Sequence, residues 1–282
     1  MQMKQWFVLI LAFVCCSSFS SFAGPPLDTS PLFPKLSKGD TLVYQVKLDM
    51  SIEMEGAMGQ QTMDMPIEYQ VTIAVMEHYR PDSLRIMVRY AHFKLPEEMS
   101  AMMASSTNAT ITAQYLVTPK DVQLVDTVEG AEQNPMLAQM LRTGSLLGQQ
   151  IFPPFPADLL AKGEVTHKAG KRFFRMNADS VLGMVTWKVL KKTADEVLIQ
   201  FKAEELTIKG DQNQHGMQMH MEGTVSAEQT YTVRLPEAVV ERVQGSSTVD
   251  MDISVEGQMQ MASTVYNETQ VNIQLLRYQK AQ

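Results

Sequence analysis

The sequence predicts a mainly β protein: a long-stranded, strongly curved antiparallel sheet or incomplete barrel, built from two similar halves with one central helix. Three observations lead to this prediction. Apolar and polar residues alternate with a period of two over segments longer than ordinary strands. Two such segments fold back as long hairpins that resemble each other. Helical spacing of apolar residues is confined to one stretch in the middle of the chain.

The first half of the chain carries the clearest alternation. Apolar side chains occupy even positions from Val46 to Met54 and, after a turn at residues 56–61, odd positions from Met63 to Val75. Each run predicts a strand with one apolar face. Further strands are predicted at residues 83–95, 110–118 and 122–126.

A second set of strands follows residue 181, predicted at residues 184–192, 196–209, 217–235, 239–256 and 258–276. The last two form a hairpin that shares features with the first. Both tips contain Glu-Gly, and both return strands carry a Met-x-Met pair. This weak internal repeat predicts two similar halves, residues 38–130 and 164–282. Whether one sheet runs through both halves is left open.

Residues 131–163 are predicted to form a helix and a proline-rich connector. Asn134-Pro135 is typical of a helix start, because proline is favoured at the first helical position. Leucine and methionine then recur at helical spacing as far as Gly148. The segment from Phe152 to Pro156 cannot continue a helix. We expect the helix to pack across the concave side of the sheet, since an apolar face must be covered.

The N-terminal residues 1–23 have the pattern of an export signal. Lys4 precedes an apolar run from Trp6 to Val14, and Ser21 with Ala23 fits the cleavage rule. The apolar run is too short to span a bilayer. We therefore predict a periplasmic or secreted protein, cleaved near Ala23, with a proline-rich tether over residues 24–37.

Composition argues against several functional classes. Both cysteines, Cys15 and Cys16, lie in the predicted signal. Lipidation at either one stays an alternative, although neither follows a small residue. With cleavage near Ala23, both cysteines are removed with the signal, so the mature chain would have no disulfide and no thiolate ligand. The net charge of −7, without a basic cluster, disfavours nucleic-acid binding. No later apolar run approaches the length of a membrane span.

Catalysis has no sequence signature here. The chain lacks G-x-S-x-G, H-E-x-x-H, a Walker loop and a dinucleotide-binding fingerprint. Its five histidines are scattered, and its carboxylates fall on the polar faces of predicted strands. We therefore predict a protein that is not an enzyme and that needs no cofactor.

Methionine is over-represented, with 22 in 282 residues. Its flexible, polarisable side chain suits apolar surfaces that accommodate variable partners. The pattern favours a concave surface for a lipid or other apolar ligand, with ordinary core packing as the alternative. The candidate ligand-binding residues are Met50, Met54, Met63, Met65, Met217, Met219, Met221, Met259 and Met261.

One segment also suggests metal binding. Thioethers and imidazoles bind Cu(I), and the weak candidates are His215, Met217, Met219, His220 and Met221. In a strand, however, the methionines would face away from His220, which divides the set. A calcium alternative places Asp211, Asn213, Gly216 and Glu222 at positions 1, 3, 6 and 12 of an EF-hand loop, with His215 at position 5.

Three sequence features are shared with a known group of proteins: Lys38-Gly39-Asp40-Thr41 before the first long strand, the connector from Phe152 to Pro156, and the terminal hairpin. With them the chain resembles a family of exported bacterial proteins of unknown function with paired β-rich halves. This resemblance covers most of residues 38–276 and implies no catalytic residues. The architecture is also similar to periplasmic lipoprotein-carrier proteins, whose half-barrel and lid helix hold acyl chains. That similarity implies a lipid ligand.

A different class of function stays open beside the lipid-binding interpretation. Exposed strand edges and hairpin tips can recruit another protein by strand addition. The sequence is therefore also compatible with an envelope protein-interaction module, whose partner would be another envelope protein.

Overall fold

The computed structural model describes residues 30–56, 59–80, 82–94, 110–119, 121–125, 150–169, 180–214, 217–256 and 261–281. The predicted export signal and the predicted helix from Asn134 lie outside these ranges. Within them the chain forms twelve strands and one short helix. The strands are β1 Thr41–Gly56, β2 Gly59–Arg80, β3 Ser83–Lys94, β4 Ile111–Val117, β5 Val122–Leu124, β6 Glu164–Lys168, β7 Ser180–Leu182, β8 Met184–Lys192, β9 Glu196–Gln214, β10 Met217–Arg234, β11 Val239–Glu256 and β12 Met261–Gln279. The helix, α1, is Leu159–Lys162.

All twelve strands belong to one antiparallel sheet, which is curved but not closed into a barrel. Its strand order is β5-β4-β3-β2-β1-β12-β11-β10-β9-β8-β6, and β7 pairs with β9. The predicted fold class is therefore confirmed. Strands β1 and β12 pair from Thr41↔Gln279 to Gly56↔Ser263. This pairing answers the question that the sequence left open, because one sheet runs through both halves.

The six longest strands are contiguous in the sheet. In the order β2-β1-β12-β11-β10-β9 they contain 22, 16, 19, 18, 18 and 19 residues. We call the end of these strands at Gly56, Gln214 and Glu256 the hairpin end, and the opposite end, where β1 begins at Thr41, the base. The flanking strands are shorter. At about 3.3 Å per residue, β2 alone would extend roughly 70 Å.

Burial follows the predicted alternation. In β1 the even positions from Leu42 to Ile52 are buried, and in β2 the odd positions from Met65 to Val75. These side chains define the inner face of the sheet. In β9 the buried set changes from odd to even between Ala203 and Leu206, across a bulge with Glu205 at φ 47°. Bulges of this kind bend a strand and increase its twist.

Two glycines of the inner face mark places where strands approach each other closely. A Cβ atom at Gly223 would lie 2.1 Å from the carbonyl oxygen of Asp250. A Cβ atom at Gly245 would lie 2.2 Å from that of Glu228. Only glycine permits such an approach, and glycine kinks of this type let a sheet curve sharply. The two glycines therefore allow β10 and β11 to curve.

Replacing Gly245 with alanine should destabilise the protein by about 2 kcal/mol or more, because the new methyl group collides with backbone atoms. Gly56→Ala is the matched control, since the nearest atoms to its Cβ, in Ala262 and Ser263, are 3.3 Å away. Urea unfolding of both variants measures the difference. Equal stability of Gly245→Ala and the wild-type protein would contradict this account of the curvature.

At the base, the carboxylate of Asp40 links the two ends of the described chain. It accepts hydrogen bonds from the backbone N–H of Ser37 at 2.8 Å, the backbone N–H of Ala281 at 2.8 Å and the hydroxyl of Tyr278 at 3.1 Å. Burial alone would raise the pKa of Asp40, but these hydrogen bonds and the charge of Lys280 hold it below 3.8. Burial and the same contact raise the pKa of Tyr278 to about 12.

Asp40→Asn should lower the free energy of unfolding by about 1–3 kcal/mol near neutral pH, because a charged acceptor is lost. A carboxyl group with a depressed folded-state pKa stabilises the protein above its unfolded pKa, and this contribution disappears as pH falls through the folded pKa. The deficit of the variant should therefore shrink below about pH 4. Urea titrations from about pH 7 to about pH 3 test this, with exposed Asp250→Asn as control. A deficit that is independent of pH would contradict the assignment.

Candidate functional site: the methionine-rich inner face

The candidate site is the inner face of the six long strands, where paired residues form rows across the sheet. Starting near the middle and moving toward the hairpin end, the register places five rows side by side. They are Met65-Met50-Thr269-Ser247-Ala227, Met63-Ile52-Asn267-Val249-Val225, Met54-Val265-Met251-Gly223, Ser263-Ile253-Met221 and Met261-Val255-Met219. Methionine recurs in every row, so the hairpin end of this face is rich in thioether side chains.

The structure places most of the predicted methionines on this face. Met50, Met65 and Met221 are buried, and Met54, Met63 and Met219 are half-buried against the same core. The side chains of Met217 and Met261 and all of Met259 lie outside the described residues. Met251 is also buried on this face. Met251 was not among the predicted ligand-binding residues, although the alternation in residues 249–255 indicates that its side chain faces inward.

The base of the inner face is aromatic instead. The ring of Phe155 makes edge-on contacts with Trp187 at 5.3 Å and with Tyr231 at 5.6 Å between centroids. Phe155 belongs to the predicted connector, and Leu32 and Leu36 belong to the predicted tether. All three side chains are 2% exposed. Residues 30–36 and 150–159, which we call the plug, therefore pack into the base of the curved sheet.

Removing the ring of Phe155 should destabilise the fold strongly. Phe155→Ala leaves a cavity against two aromatic rings, with an expected loss of about 3–5 kcal/mol. Leu182→Ala, at a side chain that is 62% exposed, is the control and should change stability by less than about 1 kcal/mol. Thermal and urea unfolding measure both. A small loss for Phe155→Ala would mean that the plug does not stabilise the base.

Four uncharged polar side chains interrupt the apolar inner face: three lie within the first two methionine rows, and one lies in the next row toward the base. We call Gln229, Ser247, Asn267 and Thr269 the polar strip; their exposed fractions range from 2% to 7%. The hydroxyl of Tyr231 donates a hydrogen bond to Oε1 of Gln229 at 2.5 Å. In the described part of the chain, Oδ1 of Asn267 and Nε2 of Gln229 have no hydrogen-bond partner. A buried unpaired polar atom costs about 1–3 kcal/mol.

Sequence reasoning missed the polar strip. Its residues occupy inner positions of strands that were recognised from their apolar members. The parity of the alternation in residues 249–275 could have identified Asn267 and Thr269 as inward-facing, because both share the odd positions of Val265 and Val271.

The donor set suggested for metal binding is divided by the sheet. Met219 and Met221 belong to the inner face, whereas His220 lies on the outer face with its Nδ1 beside Oδ1 of Asp211. His215 is outside the described residues. In the ranges that the structure covers, no three His, Cys, Asp or Glu side chains are grouped so as to hold a metal ion.

The calcium alternative required a loop between helices. In the structure, Asp211 and Asn213 lie on β9 and Glu222 lies on β10, so these residues belong to a β-hairpin. Glu222 forms an ion pair with Lys209 across the two strands. Gly216 lies outside the described ranges. The hairpin explains the polar residues of this segment without a bound ion.

A second concavity lies on the outer side of the base and has a volume of about 500 Å³. Its charged lining comes from separate strands: Lys191, Glu196, Arg234, Glu241, Arg242 and Arg277. Arg234 is paired with Glu241. Because these residues come from β8 to β12, the sequence shows no corresponding charge cluster.

Comparison with known proteins adds little to this description. No family model and no curated protein matches the chain. Among solved structures, the crystal structure of OccK11 (OpdR) from Pseudomonas aeruginosa matches 87% of this chain and 100% of that chain, with 6% identity and a TM-score of 0.26. At these values the match carries no inference about function. No helix within the described ranges has the length and apolarity of a membrane span.

Proposed function

We propose that the protein is a non-catalytic binding protein that holds a lipid or another apolar molecule on its methionine-rich inner face. One observation carries the proposal. Six contiguous long strands present methionine side chains in adjacent rows, and the half-buried members, Met54, Met63 and Met219, lie toward the hairpin end. Flexible thioether side chains pack against apolar partners of different shape.

The large number of strands in the sheet favours space for a ligand on its inner face. A closed sheet of about eight strands is just wide enough to be filled by its own side chains. This sheet has twelve strands and is curved without closing. The plug supplies additional side chains at the base, where Phe155 contacts Trp187 and Tyr231. A wide curved sheet therefore requires something besides strand side chains to cover its inner face, and at the hairpin end an apolar ligand would complete the cover of the half-buried Met54, Met63 and Met219.

The distribution of rigid and flexible side chains supports the same proposal. The base contains stiff aromatic groups in mutual contact, including Trp187 and Phe201 at 4.8 Å between centroids. The hairpin end contains unbranched methionines, which adapt more readily than aromatic or β-branched side chains. An acyl chain is a flexible apolar ligand. Its burial on such a surface would contribute a binding free energy of about 25 cal/mol for each Å² of apolar surface removed from water.

The first test is to purify the protein without detergent from the compartment to which it is exported and to analyse an organic extract by mass spectrometry. We expect a lipid in stoichiometric amount. A compact, folded protein that yields no extractable ligand, and that also fails to bind a fluorescent fatty-acid analogue, would overturn the proposal. A protein partner captured in the same preparation would favour the interaction-module alternative.

Charge on the inner face should then abolish binding. Met54→Asp and Met63→Asp place a carboxylate where an apolar chain would lie, and we expect at least a tenfold loss of affinity, or about 1.4 kcal/mol. Both sites are half-buried, so the variants should remain folded. Met76→Asp and Met87→Asp, at side chains 38% and 37% exposed, are the controls. Unchanged affinity of folded inner-face variants would place the ligand elsewhere.

A further inference from the structure

The polar strip contains a buried acceptor that is unpartnered in the described structure, set within an apolar surface. Asn267 is 4% exposed and lies between Ile52 of β1 and Val249 of β11 in the same row. Its Oδ1 receives no hydrogen bond within the described structure. Native proteins pair nearly all buried polar atoms, so such an oxygen requires an explanation. A donor on a bound molecule would supply one.

On the base side of Asn267 the inner face carries small side chains. Thr269 is two residues along β12 and lies opposite Ser247 of β11, which itself lies opposite Ala227 of β10. The next inner residue of β11 is Gly245. Serine, alanine and glycine are smaller than the facing methionine and isoleucine residues of β1. The register therefore places small side chains next to the polar strip.

One row closer to the base, the strip also contains a donor. Gln229 lies opposite Gly245 on β10, and the hydroxyl of Tyr231 donates to its Oε1. Burial raises the pKa of Tyr231 far above its usual value, which keeps the hydroxyl protonated as this donor. The hydrogen bond orients the amide, and within the described residues Nε2 of Gln229 is left as a donor without a partner.

The strip is also uncharged. Of the buried residues that the structure describes, Asp40 is the one with an ionisable carboxyl or basic group, and it lies at the base. A carboxylate or phosphate brought into the strip would lose its hydration without gaining a counter-charge, which is strongly unfavourable. A neutral group avoids this cost. Hydroxyl and amide groups are neutral and both donate and accept hydrogen bonds.

From this arrangement we infer that the inner face selects a neutral amphipathic lipid, whose hydroxyl or amide group donates to Oδ1 of Asn267 and whose alkyl chain lies along the methionine rows. The inference rests on the proposed function and specifies its ligand class. Asn267 acts as the specificity-determining residue, because a ligand without a donor would leave its oxygen buried and unpaired.

The experiment compares four ligands of one alkyl chain length: a fatty alcohol, a fatty amide, a fatty-acid methyl ester and a fatty-acid anion. Each competes with a fluorescent alkyl probe for the protein purified as in the first test, without detergent. We expect the alcohol and the amide to bind at least tenfold more tightly than the ester, which lacks a donor, and than the anion, which lacks a counter-charge. In the Asn267→Leu variant, the preference for the alcohol and the amide over the ester should fall to less than threefold.

Asn272→Leu makes the same chemical change on the exposed outer face of β12 and should leave the preference intact. Equal binding of all four ligands by the wild-type protein would overturn the inference while the proposed function stands. A failure of every ligand and of the probe to bind would overturn the proposed function itself. Because the ligand series is measured on the wild-type protein, the result does not depend on the folding of Asn267→Leu.

Discussion

The antiparallel pairing of β1 with β12 is the interaction on which the rest of the structure depends. It joins the first strand to the last in an unbroken ladder from Thr41 to Gly56, with one register shift beside Tyr44. Without this ladder, each half would be a sheet with an unpaired edge strand and an apolar face too wide for its own elements to cover. The contacts of Asp40 with Ser37, Tyr278 and Ala281 fasten the ladder at the base.

The ladder also explains why the shape of the sheet is controlled by small residues. Once β1 and β12 are paired, the six long strands form one surface, and strands of this length twist strongly. Gly223 and Gly245 permit β10 and β11 to approach neighbouring backbones more closely than any side chain would allow. The bulge at Glu205 bends β9 in addition. These features lie on the β9–β11 side of the ladder, where the inner face also carries small and polar side chains.

Much of this architecture could be predicted from the sequence, because a half-buried strand leaves a period-two pattern. The predicted bounds 184–192 and 239–256 coincide with β8 and β11. The strand β6 was missed because all five of its residues are at least partly exposed. The plug was interpreted as tether and connector because proline-rich composition is typical of both, whereas the burial of Leu32 and Phe155 depends on distant strands. Long-range contacts of this kind leave no local pattern.

The candidate site, like the fold, has one part that the sequence predicts and another part that it does not. The methionines could be predicted, because their composition and alternation are both local properties. Asn267, Ser247 and Thr269 could not be recognised as one cluster, because they are brought together by the register of β11 and β12. The two parts would contribute differently to recognition. Contact with methionine favours any hydrocarbon roughly in proportion to buried area, so it supplies affinity with little discrimination. One buried oxygen that is left unpaired by the wrong ligand discriminates between head groups, and a carrier of neutral lipids needs both properties on the same face.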